Sequence, residues 1–465
     1  MTVISNHFAV LQVLLPFFAA LGTALTRSSI ARFIAITAAS SSFILSIYGF
    51  SILNNSVSYH LGDFKPPYGI EYRLDALNQP LIIFINGVLL FLLIFCHGLV
   101  NSTIMGYISK NRQNLFYSIL LFAHAGYIGI MSTNDIFNLY VFIEISSLSS
   151  YVLMAQGNNK KAAIGAFDYL VLGTIGATLI LISIGFLFSY TGSLNMTDIN
   201  KHLHGNYSSK IVITGISFFL IGSLLKTSFF PMHFWMVRSY LSAPSVILVY
   251  LAGISSIVGI YTFLRFIHFV INYNEVIKII SIFLKPIAFT TLIICSLLAL
   301  MSKTMKKIVI YSSATQIGYI FLLIALQGAE GILLQLLLID SLNKIALFFI
   351  VANIEDPTTI LIPKVGYKFY SFLIAIILIC ASGLPLSAMF IIKLNILDLL
   401  IKKNLWLDFA IIIISSAISL LYYYKIAIIL FTDKQAKIKV IQSNCYGLTF
   451  IVLLQLISLI YYGVV

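Results

Sequence analysis

The chain has 465 residues, of which 9% are charged and 60% are hydrophobic, and its formal net charge is +13 at pH 7. A soluble globular domain carries roughly 25% charged residues. This composition excludes a soluble protein and leaves lipid as the solvent for most of the surface. The sequence contains neither a Walker motif nor a GxGxxG motif, so we predict no nucleotide site in this chain.

Apolar runs follow one another along the whole chain. A helix that crosses a membrane needs about 20 mostly apolar residues. About fourteen runs meet this requirement, so we predict an all-α integral membrane protein that forms a single polytopic domain over residues 1–465. The predicted crossings are 7–25, 30–51, 76–99, 113–131, 134–156, 166–190, 211–234, 244–270, 279–301, 308–327, 331–353, 371–393, 408–431 and 443–463.

The basic residues are distributed unevenly between the predicted loops. With both termini outside, the odd-numbered loops carry about twice as many Lys and Arg as the even-numbered loops, which is the pattern of cytoplasmic loops. We therefore predict a multi-pass protein of the cell inner (plasma) membrane with both termini on the outer side. The same bias explains the positive charge, so no nucleic-acid partner is expected. The first run lacks a basic segment and a cleavage site and is predicted to be a retained helix.

Cysteines and histidines show no spacing typical of a ligand set. Cys96, Cys295, Cys380 and Cys445 are not paired in the sequence, which argues against a disulfide framework, a metal site or an iron–sulfur cluster. The histidines are isolated, and His124 is the one that we consider as an additional proton-carrying group. No cofactor, metal or redox centre is predicted in this chain.

Of the ionisable residues inside predicted crossings, five matter most, namely Glu144, Lys226, Asp340, Lys344 and Lys393. A charge inside a bilayer costs several kcal/mol, so each one raises a functional hypothesis. The structural alternatives are a lysine that reaches the interface, or an ion pair such as Asp340–Lys344 that only joins helices. The functional interpretation is a relay, in which neighbouring carboxylates switch buried lysines between holding and releasing a proton.

Two prolines interrupt predicted crossings close to these lysines. Pro231 follows Lys226 by five residues, and Pro385 precedes Lys393 by eight. A proline breaks a helix, and irregular backbone at membrane depth is tolerated only where it faces protein or water. The seventh and twelfth crossings are therefore predicted to be broken, and broken helices in corresponding positions indicate inverted repeats. The two predicted five-helix repeats comprise residues 113–270 and 279–431.

Six segments, in this order, resemble one membrane protein family. The chain resembles the antiporter-like subunits shared by respiratory complex I and the Mrp-type cation/proton antiporters, over about residues 60–430. Within that family it is most similar to the D subunit of the Mrp-type antiporters. The segments are GIEYRLDAL (69–77), NDIFNLYVFIEISSLSSYVL (134–153), YTGSLNMTDI (190–199), KTSFFPMHFW (226–235), IVIYSSATQIGYI (308–320) and GLPLSAMFIIK (383–393).

The resemblance implies a role for each buried charge. Glu144 is implied to be the fifth-crossing carboxylate and Lys226 its switch partner on the seventh. Lys344 is implied to be the relay lysine of the eleventh crossing, and Lys393 the terminal lysine of an exit half-channel. Asp340 replaces a histidine that often precedes the relay lysine in the family, and it can compensate by anchoring Lys344.

One departure from the family affects the relay itself. The family carries a lysine on its eighth crossing, and the matching position in AGISSIVGIYTFLRF (252–266) is Ile257. Ser255 and Ser256 beside it can hold water but cannot carry a charge. The sequence therefore leaves open whether the relay is continuous.

Three functions remain open at this point. The first is a module of a multisubunit monovalent cation (Na⁺)/proton antiporter. The second is a proton-pumping membrane subunit of NADH-quinone oxidoreductase, in which case the chain is part of an enzyme whose redox centres lie in other subunits. The third is a structural subunit with an inactive channel. In each case the expected partners are other membrane subunits and the lipid bilayer, and the transported species are protons and monovalent cations.

Overall fold

The computed structural model is a bundle of long helices with one short β-hairpin. It describes residues 2–53, 56–105, 108–157, 160–204, 206–271, 274–326, 328–355, 364–432 and 442–464. The helices are α1 (Thr2–Leu25), α2 (Ser28–Ile52), α3 (Asn78–Phe95), α4 (His97–Val100), α5 (Gln113–Ser132), α6 (Ile136–Ala155), α7 (Lys160–Thr191), α8 (Met196–Leu203), α9 (Lys210–Thr227), α10 (Phe234–Ser242), α11 (Ser245–Phe266), α12 (Asn274–Met301), α13 (Met305–Leu326), α14 (Glu330–Glu355), α15 (Lys364–Ser382), α16 (Ala388–Lys402), α17 (Trp406–Thr432) and α18 (Gln442–Val464). The strands are β1 (Ser56–His60) and β2 (Glu71–Asp75), and single π-helical turns occur at Asn101–Met105 and Ile267–Ile271.

The helix lengths agree with a membrane protein. Within the described part of the chain, 12 helices are long and apolar enough to cross a bilayer. Two further apolar helices, Phe369–Ser382 and Tyr446–Tyr462, are shorter and correspond to the predicted twelfth and fourteenth runs. The all-α membrane class is therefore confirmed, whereas the count of about fourteen crossings stays a prediction.

The seventh and twelfth predicted crossings are each divided into two helices. In the seventh, α9 ends at Thr227 and α10 begins at Phe234, with Ser228 in the left-handed region at φ 61°. In the twelfth, α15 ends at Ser382 and α16 begins at Ala388, with Leu386 left-handed at φ 71°. A non-glycine residue in this region costs of order 1–3 kcal/mol, so the surrounding packing has to impose both breaks.

The hairpin identifies one end of the bundle. β1 and β2 pair antiparallel from Ser56↔Asp75 to His60↔Glu71. An isolated bridge joins Tyr72 to Thr133, at the end of α5. We call this end of the bundle the hairpin side. At the opposite side, Lys306 Nζ donates to the Ala243 carbonyl over 2.8 Å.

Burial separates a central group of helices from a lipid-facing one. Most side chains of α11, α13 and α14 are buried, whereas α6, α7, α12 and α17 expose large apolar residues along one face. The α7–α9 contact is especially close, because a Cβ added to Gly222 would lie 2.6 Å from the Gly176 carbonyl oxygen. Glycine at 222 therefore lets α9, which carries Lys226, pack directly on α7.

Candidate functional site

Lys226 lies in the last turn of α9, next to the break. Its Nζ donates to Ser147 Oγ on α6 over 3.0 Å. Glu144 precedes Ser147 by three residues, so the two lie on adjacent turns of α6. The ion pairs of the described residues do not include Glu144 and Lys226. The structure thus brings the two residues near each other without direct contact.

A cavity surrounds the Lys226 ammonium group. It offers about 50 Å³ to the centre of a water-sized sphere. One water needs roughly 10–15 Å³, so the cavity has room for a few waters. Tyr127 and Ser150, both in the lining, share a hydrogen bond of 2.7 Å. The polar lining residues are Tyr127, Ser146, Ser147, Ser150, Tyr169, Lys226, Ser255 and Thr262.

Asp340 and Lys344 form a fully internal ion pair on α14. Lys344 Nζ lies 2.6 Å from Asp340 Oδ2, and the two residues are 3% and 2% exposed. Lys344 Nζ also donates to Ser256 Oγ on α11 over 3.2 Å. The pair that the sequence suggested is thus present, and its lysine has a second, polar neighbour across the helix interface.

A second, smaller cavity joins the two lysines. Lys226 and Lys344 both line it, together with Ser255, Ser256 and Ser313. The seventh and eleventh predicted crossings therefore meet at one polar space beside α11. Ile257, the position that matches the family lysine, is 0% exposed.

Lys393 lies at the second break, away from the other two lysines. It is buried on α16, and its Nζ is 3.4 Å from the carbonyl oxygen of Ser382, the last residue of α15. The C-terminal end of a helix carries partial negative charge, which favours an ammonium there. The same Nζ is 5.5 Å from the centre of the Tyr319 ring, and Tyr319 shares a hydrogen bond of 2.9 Å with Ser416 on α17.

The prolines stand where the sequence placed them, between the paired helices of each break. Pro231 lies between α9 and α10, and Pro385 between α15 and α16. Ser147, which contacts Lys226, was missed as a site residue, because serine is common in membrane helices, whereas Ser256, which contacts Lys344, had been considered only as a holder of water. A buried cation, Arg265, was also missed, although a charge inside the eighth apolar run was a signal that could have revealed it.

His124 links Asn86 to Tyr250 through two hydrogen bonds. Asn86 Nδ2 donates to the Ser42 carbonyl, so Asn86 Oδ1 faces the imidazole at 2.8 Å from Nε2. His124 Nε2 must then carry the proton, and Nδ1, 3.0 Å away, accepts from Tyr250 Oη. The chain ends on an amide, which does not pass protons on. This geometry favours a structural role for His124 over that of an additional proton carrier.

We expect His124→Phe to lower the stability of the bundle and leave transport by the folded protein unchanged. The substitution leaves Asn86 Oδ1 and Tyr250 Oη unpaired, and each buried unpaired group costs about 1–3 kcal/mol. Thermal melting of the purified protein measures the first effect, and flux per folded molecule measures the second. A loss of flux without a loss of stability would place His124 in the relay after all.

Glu71 forms a polar cluster on the hairpin side. Its Oε2 accepts from Asn134 Nδ2 at 2.8 Å and from Asn195 Nδ2 at 2.7 Å. Burial raises the pKa of Glu71, but the hydrogen bonds from Ser58 and the two asparagines, with the charge of His60, outweigh it. The pKa of this carboxyl therefore lies below its ordinary value of 4.5.

The lowered pKa predicts a pH-dependent contribution to stability. Because the folded pKa lies below the unfolded one, the contribution of Glu71 is fully present above pH 4.5 and is lost as the pH falls through the folded pKa. Glu71→Gln is expected to cost about 1–3 kcal/mol at pH 7, since it removes charge-assisted hydrogen bonds. The melting temperatures of variant and wild type should converge in acid. A constant difference from pH 7 to pH 3 would contradict this assignment.

The chain is similar to known proteins in both sequence and structure. The family model described as "NADH:quinone oxidoreductase/Mrp antiporter, TM" matches residues 133–419, more than half of the chain. The N subunit of the NADH-quinone oxidoreductase of Desulforudis audaxviator is 28% identical over 436 residues, which cover 90% of this chain and 85% of that protein. The D subunit of the Na(+)/H(+) antiporter of Bacillus subtilis is 27% identical over 407 residues, which cover 84% and 80%.

Two solved structures share the fold. A chain of the membrane-bound sulfane sulfur reductase, an archaeal respiratory membrane complex, superposes with a TM-score of 0.86 at 23% identity, covering 97% of this chain and 94% of that one. A chain of the Mrp complex from Dietzia sp. DQ12-45-1b gives a TM-score of 0.81 at 19% identity, covering 92% and 80%. The family resemblance that the six segments predicted is confirmed, and the chain belongs to the transmembrane family shared by NADH:quinone oxidoreductases and Mrp antiporters.

Proposed function

We propose that this chain moves protons across the membrane as the D-like subunit of a multisubunit monovalent cation (Na⁺)/proton antiporter. The observation that carries the proposal is the shared cavity of Lys226 and Lys344, two ammonium groups inside a membrane bundle. Ionisable groups at this depth are costly and mark ion or proton pathways. The relatives include subunits of both antiporters and respiratory enzymes. The choice between these two functions therefore has to rest on the site as well as on the relatives.

In the proposed relay, the protonation of Lys226 depends on the charge of Glu144. When Glu144 is ionised, it favours the ammonium form of Lys226; when its charge is neutralised, Lys226 releases its proton. The proton passes to Lys344, whose ammonium form is stabilised by Asp340 at 2.6 Å. Lys393, at the second break, is the proposed last carrier before release. The breaks beside Lys226 and Lys393 place irregular backbone at membrane depth, where it is tolerated only if it faces protein or a water-filled cavity.

The position of Glu144 supports a partner subunit. Its side chain is half-exposed, and the neighbouring positions on the same face of α6 are exposed and apolar. A carboxylate on a lipid-facing surface is unfavourable, so we propose that another membrane subunit covers this face. The exposed apolar residues of the face are Phe137, Val141, Leu148 and Val152.

The loop charges and the two helix breaks support a membrane orientation and an internal repeat for this chain. We propose the plasma membrane of a bacterium, with the hairpin side outside, in agreement with the loop charges. The two breaks support repeats that comprise residues 113–270 and 279–431, because α9/α10 and α15/α16 hold corresponding places in them. Each repeat would then supply one broken helix with a lysine.

Two alternatives have specific support. A proton-pumping subunit of NADH-quinone oxidoreductase is supported by the relative in Desulforudis audaxviator, which is an N subunit of that enzyme. A structural subunit with an inactive channel is supported by Ile257, a buried apolar residue where the resemblance implies a lysine, and by the direct pairing of Lys344 with Asp340.

The experiment is a proton-flux measurement in everted membrane vesicles that contain the complete set of subunits. The antiporter predicts that added Na⁺ drives proton movement in vesicles energised by an imposed pH gradient, without NADH. Flux that requires NADH would establish the redox-driven alternative. Absence of flux under both conditions, with the complex assembled, would establish the inactive channel.

A further inference from the structure

The space between Lys226 and Lys344, beside the crossing that lacks the family lysine, is small. The cavity between Lys226 and Lys344 offers about 20 Å³ to the centre of a water-sized sphere. A single water requires roughly 10–15 Å³ of such space. The cavity is therefore large enough for one water.

Hydroxyl groups line this space and have their own protons committed elsewhere. Ser256 Oγ donates to the Ala252 carbonyl at 3.3 Å, and Ser313 Oγ donates to the Val309 carbonyl at 2.9 Å. Each oxygen keeps lone pairs that can accept a hydrogen bond. Ser255 Oγ is fixed by Tyr240 Oη at 3.2 Å.

The two lysines supply the opposite kind of group. Lys344 Nζ already donates to Ser256 Oγ over 3.2 Å, and Lys226 lines the same cavity. The protonated amine of Lys226 donates to the water oxygen, while the water donates one hydrogen to a serine oxygen and the other to the neutral amine of Lys344. A buried water typically makes about 3 hydrogen bonds, and the lining provides that number.

We propose that one water, held by Ser255, Ser256 and Ser313, replaces the missing lysine and passes the proton from Lys226 to Lys344. This inference rests on the relay of the proposed function. In the step, an N–H bond of the Lys226 ammonium breaks and its proton joins the water oxygen. A different proton of that water forms a new N–H bond on neutral Lys344, so the water is regenerated and one positive charge has moved.

The site also decides which ion crosses here. The lining includes two amino groups and no carboxylate, and the neighbouring Asp340 carboxylate is paired with Lys344 at 2.6 Å. A sodium ion would have to lose nearly all of its hydration shell to enter this space of about 20 Å³ beside two amines. The passage between the two lysines therefore favours protons over Na⁺.

The test compares two changes at Ser256, in the complete complex in everted vesicles. Ser256→Leu fills the cavity and should reduce Na⁺-driven proton flux roughly 100-fold, the scale of a lost proton-transfer step. Ser256→Ala leaves room for the water but removes one of its serine partners, so it should lower the flux by about 10-fold, less than Ser256→Leu does. Ser189→Leu, on an exposed part of α7, is the matched control and should transport normally.

The water itself is detected by brief X-ray hydroxyl-radical labelling, which modifies side chains beside bound water. Tyr240 is only 4% exposed, so its labelling in wild type and its protection in Ser313→Leu are the expected result. This readout holds even if Ser256→Leu fails to assemble. An unlabelled Tyr240 in wild type, beside labelled Tyr68, which is 94% exposed in the connection between β1 and β2, overturns the inference. Normal flux in Ser256→Leu overturns it as well, and if Lys226→Ala abolishes flux in the same vesicles, the proposed function still stands.

Discussion

Lys226→Ala is expected to reduce Na⁺-driven proton flux at least about 100-fold while the protein remains in the membrane. Lys226 lines both cavities of the site, so every proton that moves between them in the proposed relay resides on its amine. Alanine removes this carrier. It also removes a buried ammonium whose side-chain contact is Ser147 Oγ, so the change should not destabilise the fold. Flux in everted vesicles, normalised to the amount of assembled complex, is the measurement.

Lys226→Arg separates proton transfer from charge. Arginine keeps the positive charge but does not release its proton in proteins, so it should be as inactive as alanine. A purely electrostatic or structural role would tolerate arginine. Lys402→Ala is the matched control, because Lys402 is 73% exposed and pairs with Asp398 at the surface. Wild-type flux in both Lys226 variants would remove this residue, and with it the relay, from the function.

The sequence revealed those features of the site that depend on composition. A charge in an apolar run is conspicuous, so the five ionisable residues of the proposed relay could be selected without a structure. Proline close to two of them indicated the breaks between α9 and α10 and between α15 and α16. Neither inference needs to know which helices are neighbours.

The features that were missed depend on contacts between distant segments. Lys226 and Lys344 are far apart in sequence, and only the packing of α9 and α14 around α11 places them at one cavity. Serine has no conspicuous signal, since hydroxyl groups in membrane helices usually bond their own backbone, as Ser256 does with Ala252. The separation of Glu144 from Lys226 by Ser147 is likewise a matter of side-chain geometry that spacing alone does not give.

Arg265→Met is expected to destabilise the folded protein by about 3–5 kcal/mol, the usual cost of breaking a buried ion pair from one side. Arg265 is 0% exposed, and its Nη1 lies 2.6 Å from Asp75 Oδ2. Its guanidinium also lies 4.0 Å from the centre of the Phe269 ring. Methionine replaces much of the side-chain volume and leaves the Asp75 charge without its partner. Thermal melting in detergent should show the loss.

A double variant identifies the cause of that loss. Asp75 Oδ1 also accepts from the backbone N–H of Asn78 at 3.0 Å, so Asp75→Asn keeps this cap of α3 while it removes the charge. Arg265→Met combined with Asp75→Asn should recover most of the stability, because no unpaired charge remains. The recovered protein should transport protons, since this pair joins β2 to α11 on the hairpin side and does not line the lysine cavities. Additive losses in the double variant would mean that packing around Arg265, and not its charge, stabilises this end of the bundle.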